Sequence, residues 1–450
     1  MSLDALIHGA APPASGIDNN TTLIGPLEPL GYRAYLRGPM GLDLIPLHQD
    51  ILAVCTGLLK LEEMLKREKL DREIGITLSV QDPGLWNRFG AIDILSDVYY
   101  FATGSSINLK VIPAKIINVE PHIEVISPKS ITLFSGGLDS YSGVLSAKKH
   151  FGGTFGCFIN HSTTVPLVVK DLTDNELNEL GIKTVEFHMQ HNREMIQQLR
   201  GFCYIVAGSI LALRLGTPNL VVSECGITKF QPPLLPSDVV TKTTHPFVVS
   251  QAKSLLDALY GKSPNIYEPN KGLTKAEIIA NLDDPEPVRK THSCRSNRWA
   301  AQEITQCGRC YGCLIKYSGE LVAMNHSITK WACDILKEDI GSPCGWNAKH
   351  RLTSKSMLEA FQLLRFARDI VDDSLSPWTR ESIDEFHNQD LFRRFGMDVI
   401  AAIHILYESG GVGRNRYLKK WHDESLEIVT PDQIDERIAE VRERRFKPIY

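Results

Sequence analysis

The residues that could do chemistry gather first in the hexapeptide SGGLDS at 135–140, which directly follows the apolar run ITLF at 131–134. Paired glycines permit positive φ angles and let the main chain approach a ligand closely. A helix beginning near Leu138 would direct free N–H groups and the positive end of its dipole at the same point, which favours an anion. Asp139 can cap that helix or help to place Mg²⁺ and a nucleotide. The candidate anion-binding set is Ser135, Gly136, Gly137, Asp139 and Ser140.

Two common phosphate-binding patterns do not describe this segment. It lacks the lysine and the spacing of a Walker loop, and it lacks the GxGxxG pattern of dinucleotide folds. A P-loop kinase or a dinucleotide-binding domain is therefore not predicted. The alternative to a ligand site is a tight strand-to-helix turn in which the serines act only as caps.

A second group of reactive side chains is the cysteine array C-x12-C-x2-C-x2-C within HSCRSNRWAAQEITQCGRCYGC. Two consecutive x2 spacings let three thiolates converge from one turn, and a fourth from an adjacent loop completes a tetrahedron. All four positions are filled and nothing else indicates redox chemistry, so structural zinc is favoured over an iron–sulfur cluster. The predicted ligands are Cys294, Cys307, Cys310 and Cys313.

The hexapeptide lies in an alternation of short β-branched or apolar runs and helical patterns that extends from 131 to 330. Such alternation is typical of a parallel sheet covered on both faces. The sequence therefore predicts an α/β fold with a doubly wound parallel sheet and a zinc knuckle. The strand candidates are ITLF at 131–134, TFGCFI at 154–159, KTVEFH at 183–188, NLVVSE at 219–224 and NIYEP at 265–269.

Composition shifts divide the 450 residues into four predicted parts. Residues 1–20 are small and polar and are expected to form a mobile leader, followed by a small mixed α/β domain at 21–127. The doubly wound core with the cysteine site occupies 128–330. Residues 331–450 form a helical extension, whose closing basic run DERIAEVRERRFKPIY is expected to be a solvated helix face rather than a nucleic-acid contact.

Charge and hydropathy exclude several functional classes. The formal net charge is −4, which argues against wholesale binding of nucleic acid or anionic membrane. No apolar run approaches the roughly 20 residues of a membrane span. The start lacks the basic-then-apolar order of a secretory signal, so a cytoplasmic location is expected. Thiols stay reduced there, which favours metal binding by clustered cysteines.

A strand, then SGGxDS, then a helix resembles the signature of the N-type ATP pyrophosphatases of the PP-loop superfamily. In that superfamily the loop binds the pyrophosphate of ATP while an acceptor oxygen attacks the α-phosphate. The stretches LRGFCYIVAGSILA, VVSECG, EPNKGLTKAEII and CGRCYGC, in this order, make residues 128–330 similar to QueC, the 7-cyano-7-deazaguanine synthase family. The resemblance implies ATP as co-substrate on the loop set, Mg²⁺ beside it, structural Zn²⁺ and adenylation of 7-carboxy-7-deazaguanine.

The acceptor of the activated acid has two candidates. Long QueC-like proteins with an extra N-terminal domain resemble the QatC component of bacterial anti-phage operons. That resemblance implies amide formation with an amine of a partner protein from the same operon, similar to QatB. In ordinary queuosine-pathway chemistry ammonia would be the acceptor and the free nitrile the product. Neither membrane nor nucleic acid is an expected partner.

Five further residues are candidates for the same site, each with a structural alternative. Lys275 can point at phosphate from the first turn of a helix, or be a solvated lysine. Arg200 can neutralise the departing phosphate or a substrate carboxylate, or form a surface ion pair. Glu224 can accept hydrogen bonds from a purine-like amidine at a strand end, or be a surface acid. His161 and His245 are substrate-binding candidates or structural histidines. The candidate catalytic set is Asp139, Lys275 and Arg200.

Two other functions remain open on the sequence. A tRNA-modifying enzyme of another PP-loop branch would bind tRNA with a steep salt dependence, and the mildly acidic composition argues against it. A non-catalytic subunit of a defence complex would bind nucleotide without turnover.

Overall fold

The protein is a mixed α/β fold organised by parallel sheets. Among the residues that the structure describes, no helix is both long enough and apolar enough to cross a membrane. The computed structural model describes residues 3–8, 22–24, 34–37, 46–64, 73–88, 90–114, 128–160, 172–189, 198–230, 243–282, 284–294, 306–338, 342–344, 350–351, 354–384, 388–412 and 415–444.

A smaller sheet of four parallel strands has the order β2-β1-β4-β5. Its strands are β1 (Leu3–His8), β2 (Thr22–Ile24), β4 (Glu73–Val80) and β5 (Ser106–Pro113). Its helices are α1 (Pro46–Met64), α2 (Pro83–Arg88) and α3 (Ala91–Thr103). The expectation of a mobile leader is wrong for Leu3–His8, because a strand far along the chain supplies its hydrogen-bond partners.

The larger sheet has six strands in the order β10-β9-β6-β7-β8-β3. Its strands are β3 (Ala34–Arg37), β6 (Ile131–Phe134), β7 (Phe155–Asn160), β8 (Thr184–Met189), β9 (Asn219–Val221) and β10 (Asn265–Tyr267). The strands expected between 131 and 269 are confirmed with small shifts at their ends, and they run parallel. β3 pairs antiparallel with β8, although it belongs to the predicted N-terminal domain.

Helices connect the strands of the larger sheet and form the C-terminal region. Between the strands lie α4 (Leu138–Phe151), a π-helix (Leu172–Leu177), α5 (Arg200–Arg214), α6 (Gly226–Lys229) and α7 (Pro246–Tyr260). After β10 come α8 (Lys275–Ala280), α9 (Glu286–Lys290) and α10 (Tyr311–Met324). The short strands β11 (Pro343–Cys344) and β12 (His350–Arg351) precede α11 (Ser354–Val371), α12 (Pro377–Asp384), α13 (Gln389–Glu408), α14 (Arg416–Leu426) and α15 (Pro431–Glu443).

Alternate residues of β6 face two hydrophobic cores. Ile131 and Leu133 pack into the core that contains α5 and α7, whereas Phe134 packs into the core that contains α4 and α10. The first core also contains residues of α1 and α3, and the second contains residues of α11 and α13. The first core therefore crosses the boundary expected near 127, and the second crosses the boundary expected near 330. The division into separate domains stays a prediction.

The strand order reverses between β6 and β9, because β7 and β8 lie on one side of β6 and β9 and β10 on the other. Ligands of parallel sheets typically bind at such a point, beyond the carboxyl ends of the strands. The hexapeptide follows β6, and Glu224 follows β9. The topology thus places both at this edge of the sheet.

Gly201, in the first turn of α5, marks a close approach of two chain segments. A Cβ at this position would lie 1.7 Å from the carbonyl oxygen of Thr243 and 2.4 Å from its Cα. A backbone neighbour cannot swing aside as the end of a flexible side chain can. Glycine is therefore required here by packing.

We expect Gly201→Ala to lower the free energy of unfolding by about 1–3 kcal/mol, because overpacking outweighs the better helix propensity of alanine. Urea denaturation followed by circular dichroism measures the change. Gly153→Ala is the matched control, since a Cβ there meets nothing within 4 Å. Equal losses in the two variants would contradict the packing argument.

Candidate functional site

The loop between β6 and α4 is held in a defined shape. Gly136 has φ of 76°, a left-handed conformation that favours glycine, and Gly137 is the N-cap of α4. The hydroxyl of Ser140 donates to the carbonyl of Gly137 at 2.8 Å, and the N–H of Gly137 donates to Ser135 Oγ at 3.4 Å. The N–H of His292 donates to the carbonyl of Gly136 at 2.8 Å. The loop is therefore fixed both internally and by a segment far along the chain.

Asp139 forms an ion pair with Lys275, from 136 residues further along the chain. The backbone carbonyl of Asp139 also accepts a hydrogen bond from Asn270 Nδ2 at 3.0 Å. The same amide donates to the carbonyl of Ser223 at 2.9 Å, after β9. Tertiary contacts thus join the first turn of α4 to the chain after β9 and β10.

Lys275 is buried, with 5% of its surface exposed, so the alternative of a solvated lysine is wrong. Burial acts to lower the pKa of Lys275, but the Asp139 carboxylate more than offsets this and the pKa lies above its usual value. The residue is the first of α8, whose N-cap is Thr274. An ammonium group therefore lies beside the loop between β6 and α4.

Glu224 and Arg200 belong to the same group of charges, because the charge of each affects the pKa of the other. Glu224 accepts a hydrogen bond from the hydroxyl of Thr244. Burial, reinforced by the charge of Asp139, raises the pKa of Glu224 against the opposing effects of Thr244, Lys229 and Arg200. Burial lowers the pKa of Arg200, although Glu224 and the N-terminal Glu62 counteract it.

Arg200 does not form the surface ion pair that was its structural alternative in the sequence analysis. Its Nε is buried and has no hydrogen-bond partner among the described residues. Glu62 of α1 sits at the start of α5, where its Oε1 accepts the N–H of Gln198 at 2.8 Å and its Oε2 that of Leu199 at 3.2 Å. These carboxylate bonds satisfy N–H groups at the helix start next to the arginine.

The two histidine candidates differ in outcome. His245 is the N-cap of α7, where its Nδ1 accepts the N–H of Phe247 at 3.3 Å, and its ring lies 4.8 Å from that of Phe101. That arrangement fits the structural alternative, and the role of His245 in substrate binding stays a prediction. His161 lies outside the described residues.

Sequence reasoning missed two members of this cluster. Asn270 bridges Asp139 and Ser223, and Lys229 pairs with Glu268 while donating to the carbonyl of Thr244 at 2.7 Å. Asn270 lies in EPNKG, next to the stretch that contains Lys275, and Lys229 follows Glu224 in ECGITK. Their closeness in sequence to Lys275 and Glu224 could have indicated both residues. Neither, however, belongs to a motif with a characteristic spacing.

The four cysteines of the array come together in a buried group. Their sulfur atoms all lie within 4.8 Å of one another. Separations are 3.4 Å between Cys310 and Cys313, 3.8 Å between Cys307 and Cys313, and 4.0 Å between Cys294 and Cys310. Zinc–sulfur bonds of about 2.3 Å in a tetrahedron require sulfur separations of about 3.8 Å. The group can therefore hold a metal ion such as zinc.

Neighbouring residues tie the two halves of the cysteine group together. Gln306 is fully buried, donates from Nε2 to the carbonyl of Thr291 at 3.0 Å and accepts the N–H of Ser293 at 3.2 Å. Cys310 is the N-cap of α10, so the helix dipole favours thiolate there. The N–H of His292 donates to the carbonyl of Gly136, so the segment that leads to Cys294 also supports the loop between β6 and α4.

We expect the purified protein to contain one equivalent of zinc, and Cys310→Ala to lose most of it, because three ligands without the fourth thiolate bind zinc far more weakly. Elemental mass spectrometry gives the zinc content per chain. Cys333→Ala is the matched control, since Cys333 is equally buried but is not one of the four grouped cysteines. Full zinc content in Cys310→Ala would show that the array is not the ligand set.

The structure defines a mixed α/β protein with parallel sheets and a buried four-cysteine group. No protein-family model matches the chain, and no curated protein matches it either. The charges near the loop include the ammonium of Lys275, the carboxylates of Asp139 and Glu224, and the guanidinium of Arg200, whose Nε has no partner in the described part of the chain. Such a site suits a ligand that has both an anionic part and hydrogen-bond donors.

Proposed function

We propose that the chain is a QueC-like PP-loop ATP pyrophosphatase, with a doubly wound parallel core, that activates a 7-deazaguanine carboxylate as an adenylate. The proposal depends mainly on one observation, the SGGLDS loop after β6 at the reversal of strand order with Lys275 paired to Asp139. Anions bind where a strand leads through glycines into a helix N-terminus. The buried cysteine group after α9 agrees with the resemblance.

The loop set would bind the polyphosphate of ATP. Main-chain N–H groups at Gly136 and Gly137 and the hydroxyls of the two loop serines would donate to phosphate oxygens. Lys275 lies within reach of the loop through Asp139, so its ammonium can move from the carboxylate to a phosphate at little cost in position. Such exchange would place a positive charge where the departing pyrophosphate becomes most negative.

Magnesium fits the donor set of the loop. Asp139 is half-buried, and among the described residues Lys275 takes only its Oδ1. Carboxylate and phosphate oxygens are the ligands that Mg²⁺ prefers. Asp139 would hold the ion together with ATP itself, and the ion would supply charge neutralisation on the phosphates.

The reaction would proceed in two displacements. A carboxylate oxygen of the acid attacks the α-phosphorus, the bond from that phosphorus to the bridging oxygen breaks, and pyrophosphate leaves with the electron pair. An amine nitrogen then attacks the acyl carbon, the bond from carbon to the AMP oxygen breaks, and the nitrogen loses a proton. The products are an amide, AMP and pyrophosphate. Activation is needed because a carboxylate by itself is a poor electrophile.

Arg200 and Glu224 would receive the acid. The buried Nε of Arg200 has no partner among the described residues and can donate to a carboxylate. The carboxyl of Glu224, whose pKa burial raises, can accept hydrogen bonds from the amidine edge of a purine-like base. A protein amine, supplied by a partner from the same operon, is the proposed acceptor in anti-phage defence, with ammonia as the alternative.

Asp139→Asn should reduce pyrophosphate release at least about tenfold, because it removes the charge that holds Lys275 and the ion. Release should require ATP, Mg²⁺ and the deazaguanine acid together, measured by a coupled pyrophosphate assay. Asp257→Asn is the control, since that carboxylate is exposed and, within the described ranges, pairs with Lys253 of the same helix α7. ADP as the product would contradict the proposal, as would pyrophosphate release that Asp139→Asn leaves unchanged.

Proteins that co-purify with the chain should carry a mass increase equal to a deazaguanine joined by an amide. The adduct should be absent when Asp139→Asn replaces the wild type, because no activated acid forms. Intact-mass spectrometry of the complex tests this. A free nitrile product without any protein adduct would instead identify ammonia as the acceptor.

A further inference from the structure

The C-terminal helices reach the candidate nucleotide site through one buried carboxylate, Glu277. This residue is fully buried and lies in the first turn of α8, two residues after Lys275. Its Oε2 accepts the N–H of Thr274 at 3.0 Å, and Thr274 Oγ1 accepts the N–H of Glu277 at 3.3 Å. This reciprocal capping box fixes the start of the helix whose first residue is Lys275.

The other carboxylate oxygen of Glu277, Oε1, forms ion pairs with arginines of the C-terminal region. Arg394 of α13 contacts Oε1, as do Arg437 of α15 at 2.9 Å and Arg444 at 3.4 Å. Arg437 has 4% of its surface exposed, and its Nε donates to Asp398 at 2.8 Å. The closing basic run is therefore not a solvated face throughout, because a distant buried carboxylate draws Arg437 inward.

The charges in this cluster favour the ionised carboxylate. Burial acts to raise the pKa of Glu277, but Arg394 and Arg437 outweigh it and the pKa lies below its usual value. A buried carboxylate that lost its cations would carry a large desolvation cost. Glu277 is therefore bound both to the first turn of its own helix and to arginines of the C-terminal region.

Helix α13 makes two further contacts beside the site. Arg394 Nη2 donates to the carbonyl of Gly272 at 3.1 Å, just before the N-cap of α8. A Cβ on Gly226 would come within 2.4 Å of Leu391 Cδ2, so α13 also packs against the chain after β9. The segments that follow β9 and β10 thus both lie against one C-terminal helix.

We propose that Arg394 and Arg437 are positioning residues, which act through Glu277 to place Lys275 against Asp139 at the nucleotide site. A helix of six residues cannot hold its own position, so the groups that clamp its first turn decide where Lys275 lies. The C-terminal region is in this way part of the site, although none of its described residues belongs to the proposed ATP-binding set. The functional half of the inference rests on the proposed nucleotide site, whereas the placement of Lys275 is measurable without it.

Arg394→Met is the main test, because Arg394 is half-buried and its loss leaves Arg437 on Glu277 to keep the protein folded. Arg437→Met is the stronger but more disruptive variant. Arg368→Met is the matched control, since its side chain is 26% exposed against 22% for Arg394, and it breaks a pair with Glu424 inside the C-terminal region.

The first readout is acetylation of Lys275 by acetic anhydride, measured by mass spectrometry relative to exposed Lys253. Arg394→Met should increase it at least about threefold, because loosening the first turn of α8 exposes the amine. The second readout is pyrophosphate release, in which kcat/KM for ATP should fall at least about tenfold through misplacement of the ammonium. Arg368→Met should leave both at wild-type values.

Wild-type labelling of Lys275 in Arg394→Met would overturn the positioning role, as would an equal increase in Arg368→Met. Increased labelling with unchanged kcat/KM would also overturn it, since Lys275 would then have moved without consequence. If the wild type releases no pyrophosphate at all, the proposed function fails, and the labelling result alone decides whether the C-terminal arginines place Lys275.

Discussion

The ion pair between Asp139 and Lys275 is the interaction on which the candidate site depends. It joins the first turn of α4 to the first residue of α8, and both side chains are largely removed from water. A buried ion pair is stable only when the two charges are well placed, because their attraction must offset the free-energy cost of removing each charge from water. Much of the surrounding structure can be understood as the means of keeping these groups in place.

Contacts from three parts of the chain hold the elements of the candidate site in place. Glu62, from the N-terminal helix α1, caps the start of α5 beside Arg200. Glu277 links α8 to the arginines of α13 and α15. His292, two residues before the first cysteine of the buried group, holds the carbonyl of Gly136. Each support ends on backbone or on a cap, so each fixes the position of an element rather than one side chain.

The sequence was sufficient wherever a local pattern carries the information. Alternating apolar runs predicted the parallel strands of the larger sheet, because a strand buried on both faces must be apolar along its length. The spacing of the four cysteines predicted their convergence, since a short turn can bring three thiolates to one point. Lys275 could be singled out beside its capping residues, but whether it was solvated or buried could not be decided.

The amino-acid sequence was therefore enough to predict the parallel strands between residues 131 and 269, the glycine-containing turn after β6 and the cysteine group. Three features became visible in the folded protein alone: Leu3–His8 forms a strand, Asn270 and Lys229 join the charge cluster, and Arg437 of the basic run is buried against Glu277. The physical reason is the same in each case. Strand pairing and buried ion pairs depend on partners from distant parts of the chain, and no local periodicity or spacing reports which distant group will be the partner.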